Sequence, residues 1–116
     1  MVYELDLLEN GLDFLKSGIE LFYRSATPKA RAHKYALLHI FSGLLLVLKE
    51  RLARVRPSLV FANEAKAGQA GAKTTDYHTT IARLEAHGIS IDPAKRAALD
   101  EIRDLRNAIE HYRFGA

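Results

Sequence analysis

The chain has 116 residues, of which 48% are hydrophobic and 27% charged, and its formal net charge at pH 7 is +3. These values exclude a disordered chain and predict one folded domain over residues 1–116, with a core that needs no disulfides. The absence of cysteine excludes a thiolate metal site and a cysteine nucleophile, and it favours a cytoplasmic location. The acidic start, with Glu4, Asp6 and Glu9, is unlike a secretory leader.

The charges are unevenly distributed. Residues 1–24 have five acidic and two basic side chains, a balance of −3, whereas residues 29–56 have seven basic and one acidic, a balance of +6. Such a basic segment attracts nucleic acid or an acidic partner. In the alternative interpretation, these long side chains reach solvent from the ends of a buried helix.

Apolar residues recur every three or four positions from Val2 to Arg24, which predicts a first amphipathic helix. The two glycines in this stretch, Gly11 and Gly18, either weaken the helix or let a neighbouring helix come close. The apolar positions are Leu5, Leu8, Leu12, Leu15, Ile19 and Phe22.

A second helix is predicted from Pro28 to Val55, with Thr27 as its N-cap. Its middle is apolar nearly all round, but it is too short, and too interrupted by polar residues, for a membrane span. A helix without a polar face needs neighbours on every side. Since three other helices in so small a domain cover it poorly, we expect part of it to lie in a homodimer interface.

A long connection over residues 57–74 follows, and irregular loops of this length are often functional or mobile. Thr75 or Asp76 is predicted to cap a third helix, Tyr77–His87. Gly88 is predicted to end that helix as its C′ residue.

Neither a metal nor a cofactor site is predicted. His33 and His39 are six residues apart, which is not the i,i+4 spacing of a metal-binding pair on a helix. We therefore expect them to be hydrogen-bonded core or interface residues. The glycines between Lys66 and Lys73 match no phosphate-binding loop or dinucleotide motif.

The last helix is predicted from its N-cap Asp92 to about Phe114. One stripe of it is apolar and predicted to be buried, and the opposite face is polar. That polar face carries a cation, an amide and an imidazole, which together can hold a phosphate and move a proton. The alternative is a solvated face whose arginines pair with acidic residues. The apolar stripe is Ile102, Leu105, Ile109 and Tyr112, and the three candidate site residues are Arg106, Asn107 and His111.

Four helical segments, and no segment that alternates like a strand, predict an all-α fold. The helices are expected to form an antiparallel up-and-down four-helix bundle.

The chain resembles the HEPN domain family, small α-helical bundles named for higher eukaryotes and prokaryotes nucleotide-binding. The resemblance rests first on the RNAIEH run from Arg106 to His111, which matches the family's Arg-x4–6-His motif with Asn after the Arg. It rests also on the long second helix, from Ala32 to Leu52, and on the order long helix, loop, short helix, motif helix. It covers most of the chain from about residue 30 onward.

The resemblance implies a metal-independent endoribonuclease without a cofactor, in which the motif helices of a homodimer face one another across a composite cleft. Arg106 and His111 would be the catalytic pair and Asn107 a supporting polar residue, with RNA as the substrate. The residue types suit this chemistry. An imidazole titrates near neutral pH and acts as base or acid, and a guanidinium keeps its charge and grips two phosphate oxygens.

The sequence also departs from the family's pattern. Some HEPN toxins have a tyrosine two residues after the motif His, which a nucleotidyltransferase antitoxin modifies, whereas this chain has Arg113 there. The resemblance therefore leaves open an antitoxin or a fused regulatory domain as partner, and the ending Gly115–Ala116, just past the motif, suggests a domain of a longer protein. The alternative functions are a non-catalytic nucleotide- or protein-binding module and a dimerisation domain.

Overall fold

The computed structural model describes residues 7–24 and 30–111, with side chains described over residues 7–24 and 32–110. In these ranges the chain forms four α-helices and no β-strand, which confirms the prediction of an all-α fold there. No helix in them combines the length and apolar character needed to cross a membrane. The helices are α1 (Leu7–Arg24), α2 (Ala30–Ala53), α3 (Tyr77–Ala86) and α4 (Pro93–His111).

The ends of α3 and α4 are set by their own capping residues. The carboxylate of Asp76 accepts a hydrogen bond from the amide of Thr79 (2.8 Å), and that of Asp92 accepts from the amides of Ala94 and Lys95 (3.1 and 3.2 Å). Gly88 follows α3 with a φ of +78°, a conformation that glycine adopts without strain. Of the two predicted caps of α3, the structure selects Asp76, and the predictions of Asp92 and Gly88 are confirmed.

The other predicted ends agree less closely. α2 ends at Ala53 and not at Val55, because the amide of Val55 donates to the carbonyl of Leu52, three residues before it, in a 3₁₀-type hydrogen bond. α3 ends at Ala86, one residue before the predicted end. The predictions that concern residues 1–6, the N-cap Thr27 with Pro28, and residues 112–116 lie outside the described residues.

Helix α2 is the element against which α1, α3 and α4 all pack. Its contact with α1 is made by glycines. A Cβ atom built on Gly11 would lie 3.0 Å from the carbonyl oxygen of Gly43, and one built on Gly43 would lie 2.7 Å from the carbonyl oxygen of Gly11. Gly18 is equally close to Ala36 and Ile40. Of the two interpretations of the glycines in α1, the close approach of a neighbouring helix is therefore confirmed.

The core has two adjoining parts along α2. The first joins the end of α2 to the segment after it and to α3, through Leu52, Leu59, Val60, Phe61 and Leu84. The second joins the middle of α2 to α3 through Phe41, Tyr77 and Ile81, with Leu99 and Ile102 of α4 against it. Both rings of this second cluster lie beneath α4.

The long connection between α2 and α3 is held by Arg83. It contains two short 3₁₀ turns, Pro57–Val60 and Glu64–Lys66, and Phe61 pairs with Thr74 in one isolated antiparallel bridge. The guanidinium of Arg83 donates to the carbonyl oxygens of Leu59 (2.7 Å), Phe61 (2.6 Å) and Ala62 (2.9 Å). Three charge-assisted hydrogen bonds to backbone carbonyls fix the path of a segment whose composition predicts irregular structure.

Apolar side chains stay exposed on α1 and α4. Leu12 is 53% exposed, Ile19 48% and Leu105 41%, although the periodicity of α4 predicts that Leu105 is buried with Ile102 and Ile109. An open groove of about 390 Å³ also lies between α2 and α4, with Leu44, Val47, Leu99 and Ile102 among its lining residues. A single chain therefore leaves apolar surface on three of its helices in water.

Candidate active site

Two of the three predicted site residues are in direct contact on α4. Nη1 of Arg106 donates to Oδ1 of Asn107 (2.9 Å), and both side chains are half-buried. The same nitrogen donates to Oε2 of Glu110 (3.0 Å), one turn further along the helix. Among the described residues, Nε and Nη2 of Arg106 donate to no acceptor, so three of its five N–H bonds remain for a ligand.

The guanidinium of Arg106 lies over the ring of Phe41, with its central carbon 4.5 Å from the ring centroid. Phe41 belongs to α2 and is only 3% exposed, so it is a fixed support. A planar cation over an aromatic face gains about 0.5–2 kcal/mol and loses rotational freedom. Phe41 therefore holds the charge of Arg106 in place before any ligand arrives.

The third predicted residue, His111, is the last described residue of α4. Its side chain lies outside the described part of the chain. Its backbone continues the helix four residues after Asn107 and five after Arg106, and side chains four residues apart on a helix are neighbours on its surface. The catalytic roles of Arg106, Asn107 and His111 remain predictions.

A second polar cluster lies nearer the start of α4. The hydroxyl of Tyr77 donates to Oδ1 of Asp100 (2.8 Å), and Nε of Arg96 donates to the same oxygen (3.2 Å). Arg96 also pairs with Glu85 of α3 (2.6 Å). The guanidinium carbon of Arg103 lies 5.4 Å from the centroid of the Tyr77 ring. This cluster ties α3 to α4 and places a second arginine beside Arg106.

The ionisation of Tyr77 reflects this environment. Burial of the phenol, and then its hydrogen bond to Asp100 and that carboxylate's charge, raise the pKa of Tyr77 to about 12. The same hydrogen bond lowers the pKa of Asp100. At neutral pH Tyr77 is therefore an uncharged donor and Asp100 a charged acceptor.

We expect this tyrosine to make folding stability depend on pH in alkaline solution. Because its pKa is raised from 10 to about 12 on folding, its contribution is complete below pH 10 and is lost as the pH rises through 12. Urea unfolding midpoints measured across this interval check the loss. Tyr77→Phe keeps the ring without a titrating group, so its midpoint should fall less steeply than that of the wild-type protein. Equal slopes for the two proteins would contradict the expectation.

Sequence reasoning missed Phe41 and did not assign Glu110 to the site. No sequence signal points to Phe41, since it is 65 positions from Arg106 and meets it only after α2 and α4 have packed. The sequence does indicate a role for Glu110, because it stands four residues after Arg106, the spacing of an ion pair on a helix. The arginine–acid pairs expected of a merely solvated face are thus present on α4, as Arg96–Asp100 and Arg106–Glu110.

The two histidines of α2 have partners of their own. Nδ1 of His39 lies 2.8 Å from Oγ of Ser17, and its ring makes a T-shaped contact with that of Phe14. The ring of His33 stacks on Phe22, with centroids 5.2 Å apart. Both contacts fit the prediction of partnered core or interface residues. Among the described residues, no three His, Asp or Glu side chains form a group able to hold a metal ion.

In comparisons with known proteins, the chain matches no family description, and no curated protein or solved structure is significantly similar to it.

Proposed function

We propose that the chain is a metal-independent endoribonuclease of the HEPN type, acting as a cytoplasmic homodimer of antiparallel up-and-down four-helix bundles in a toxin, defence or stress role. The observation that carries the proposal is the state of Arg106. Its guanidinium is held on Phe41 and oriented by Asn107, and three N–H bonds face no acceptor among the described residues. This arrangement, five residues before His111, suits a charged donor for a phosphate.

The chemistry requires no metal. A base removes the proton of an RNA 2′-hydroxyl, the 2′-oxygen forms a bond to the adjacent phosphorus, and the bond from phosphorus to the 5′-oxygen breaks. An acid gives a proton to that leaving oxygen, so the products are a 2′,3′-cyclic phosphate and a 5′-hydroxyl. Arg106 would stabilise the extra negative charge on the pentacoordinate phosphorus. His111 of the two subunits would serve as base and acid.

The exposed apolar surface supports a homodimer. Leu105 on α4 is 41% exposed, although it belongs to an apolar stripe of the kind that a helix buries against a neighbour. The groove between α2 and α4 offers a further apolar surface on the same helix. Exposed apolar patches of this kind mark interaction surfaces. A monomeric mass at micromolar concentration, measured by light scattering after size-exclusion chromatography, would contradict this part of the proposal.

The ion pair between Arg106 and Glu110 favours the second candidate, a nucleotide- or protein-binding or dimerisation domain without catalysis. A carboxylate 3.0 Å from the guanidinium offsets part of the positive charge that a phosphorane needs. Exposed pairs of this type contribute about 0–1 kcal/mol, and the Glu110 side chain is 45% exposed. A phosphate can therefore displace it, and the nuclease remains the better-supported candidate.

The test is cleavage of a mixed, fluorescently labelled RNA by the purified chain in EDTA, beside His111→Ala. His87→Ala is the matched control, because His87 is an exposed histidine just after α3. We expect wild type and His87→Ala to cut the RNA and leave cyclic-phosphate ends, and His111→Ala to be slower by about 100-fold or more. The nuclease proposal fails if the folded dimeric wild type is inert, if EDTA abolishes cutting, or if His111→Ala cuts at the wild-type rate.

A further inference from the structure

Two arginines of α4 rest on two aromatic rings that touch each other. Arg106 lies over Phe41 of α2 and Arg103 over Tyr77 of α3, at 4.5 and 5.4 Å from the ring centroids. The two rings are 5.8 Å apart, centroid to centroid. We call these four residues the arginine platform. It is built from three helices, so it exists only in the folded protein.

The rings fix the two cations in advance. Phe41 and Tyr77 are 3% and 5% exposed, and Tyr77 is further held by its hydrogen bond to Asp100. Because the pKa of Tyr77 is raised to about 12, its ring stays neutral at physiological pH. Immobilising a free arginine on binding costs about 0.5–1.5 kcal/mol, and much of that cost is already met here by folding.

Both arginines keep donors for a ligand. Arg103 uses Nε and Nη2 toward a single oxygen of Asp104 (3.0 and 2.9 Å), and among the described residues its Nη1 donates to no acceptor. Arg106 keeps Nε and Nη2. The side chains of Asp104 and Glu110 are 68% and 45% exposed, so these two carboxylates bind their arginines weakly and can turn away into water.

The spacing favours two phosphates over one. Arg103 and Arg106 are three residues apart, which places their Cβ atoms about 5–6 Å apart on the helix. Each guanidinium rests on its own ring and does not need to leave it to meet a ligand. Successive phosphates of one strand each carry a negative charge. The platform therefore offers one cation to each of two neighbouring phosphates.

We propose that the arginine platform binds two successive phosphates of single-stranded RNA, with Arg106 at the phosphate that is cleaved and Arg103 at its neighbour. The inference rests on the proposed function for its choice of RNA as ligand. It adds Arg103 as a residue that sets the register of the strand, a role that the Arg-x4–6-His motif does not contain. A nucleoside monophosphate would leave one of the two cations without a phosphate.

The experiment measures binding without cleavage. A fluorescent 2′-O-methyl RNA of about ten nucleotides, a length within the usual range of single-strand sites, lacks the attacking hydroxyl. Its affinity is measured by anisotropy in EDTA at several salt concentrations. Arg103→Ala is compared with Lys66→Ala, which removes an exposed basic side chain outside the basic segment 29–56, in the connection between α2 and α3. We expect Arg103→Ala to weaken binding about tenfold and to reduce the log–log salt slope by about 0.7, one phosphate contact of a single strand. Lys66→Ala should match the wild type.

The outcomes separate this inference from the nuclease proposal. If Arg103→Ala shows these losses while unmodified RNA is not cut by the wild type, the platform stands and the nuclease proposal fails. If the wild type cuts RNA but Arg103→Ala binds like Lys66→Ala, the platform is wrong and the nuclease stands. Absence of binding by the wild type overturns the platform. So does displacement of the oligonucleotide by ATP at equal concentration, because the ligand would then be a free nucleotide.

Discussion

Arg106→Lys is expected to cut RNA about 100-fold more slowly than the wild type, nearly as slowly as Arg106→Ala. Lysine keeps the positive charge but has neither the planar group that lies on Phe41 nor separate nitrogens for Asn107 and for a phosphate. Loss of one oriented donor to a transition-state oxyanion costs about 10²–10³ in rate. Single-turnover cleavage in EDTA measures the effect, and circular dichroism shows whether each variant remains folded.

Glu110→Gln serves as the matched variant for this experiment. Glutamine retains an oxygen that accepts a hydrogen bond from Arg106 and removes the negative charge 3.0 Å from it. If Arg106 acts on a phosphate, Glu110→Gln should cut at least as fast as the wild type. Wild-type rates for Arg106→Lys would show that the charge alone matters and that the orientation given by Phe41 and Asn107 has no role.

Gly43→Val is expected to destabilise the protein by about 3 kcal/mol. Even the first carbon of a side chain at this position would lie 2.7 Å from the carbonyl oxygen of Gly11 and 2.9 Å from the amide nitrogen of Leu15. Both contacts are with backbone, so no change of rotamer relieves them and α1 must move away from α2. Urea unfolding, followed by circular dichroism, measures the loss.

For Gly43→Ala, the sign of the change in folding stability tests the contact between α1 and α2. In a helix without close neighbours, alanine is more favourable than glycine by about 1 kcal/mol. Here we expect a net loss of about 1–2 kcal/mol, since the cost of overpacking exceeds that gain. A rise in stability would mean that α1 and α2 are not in backbone contact at Gly43.

The sequence predicts best what is decided within a few residues. The caps Asp76 and Asp92 and the end at Gly88 depend on side chains or backbone angles close to the helix ends, and the structure agrees with them. Periodicity predicts less well which side of a helix is covered. Its apolar stripe on α1 includes Leu12 and Ile19, which are about half exposed, whereas Gly11 and Gly18 are buried. A scale of hydrophobicity gives glycine no weight, yet its missing side chain lets two backbones meet.

In the candidate site, too, the sequence predicts local features and misses those that depend on packing. Arg106, Asn107 and His111 stand out because they share one helix and a regular spacing. Phe41 and Tyr77 were recognisable only as apolar positions, since their place under the arginines depends on how three helices pack. The three carbonyls that Arg83 binds are likewise more than twenty residues from it along the chain. Contacts of this range leave no local pattern in the sequence.

The Arg83 contacts also bear on distances elsewhere in the molecule. By composition, the segment between α2 and α3 would be a hinge, and a hinge there would let Phe41 and Tyr77 drift apart. Tied at Leu59, Phe61 and Ala62, it works as a spacer of fixed length between the two helices. The spacing between the guanidinium groups of Arg103 and Arg106 on α4 is therefore set in part by a loop that lies outside the arginine platform.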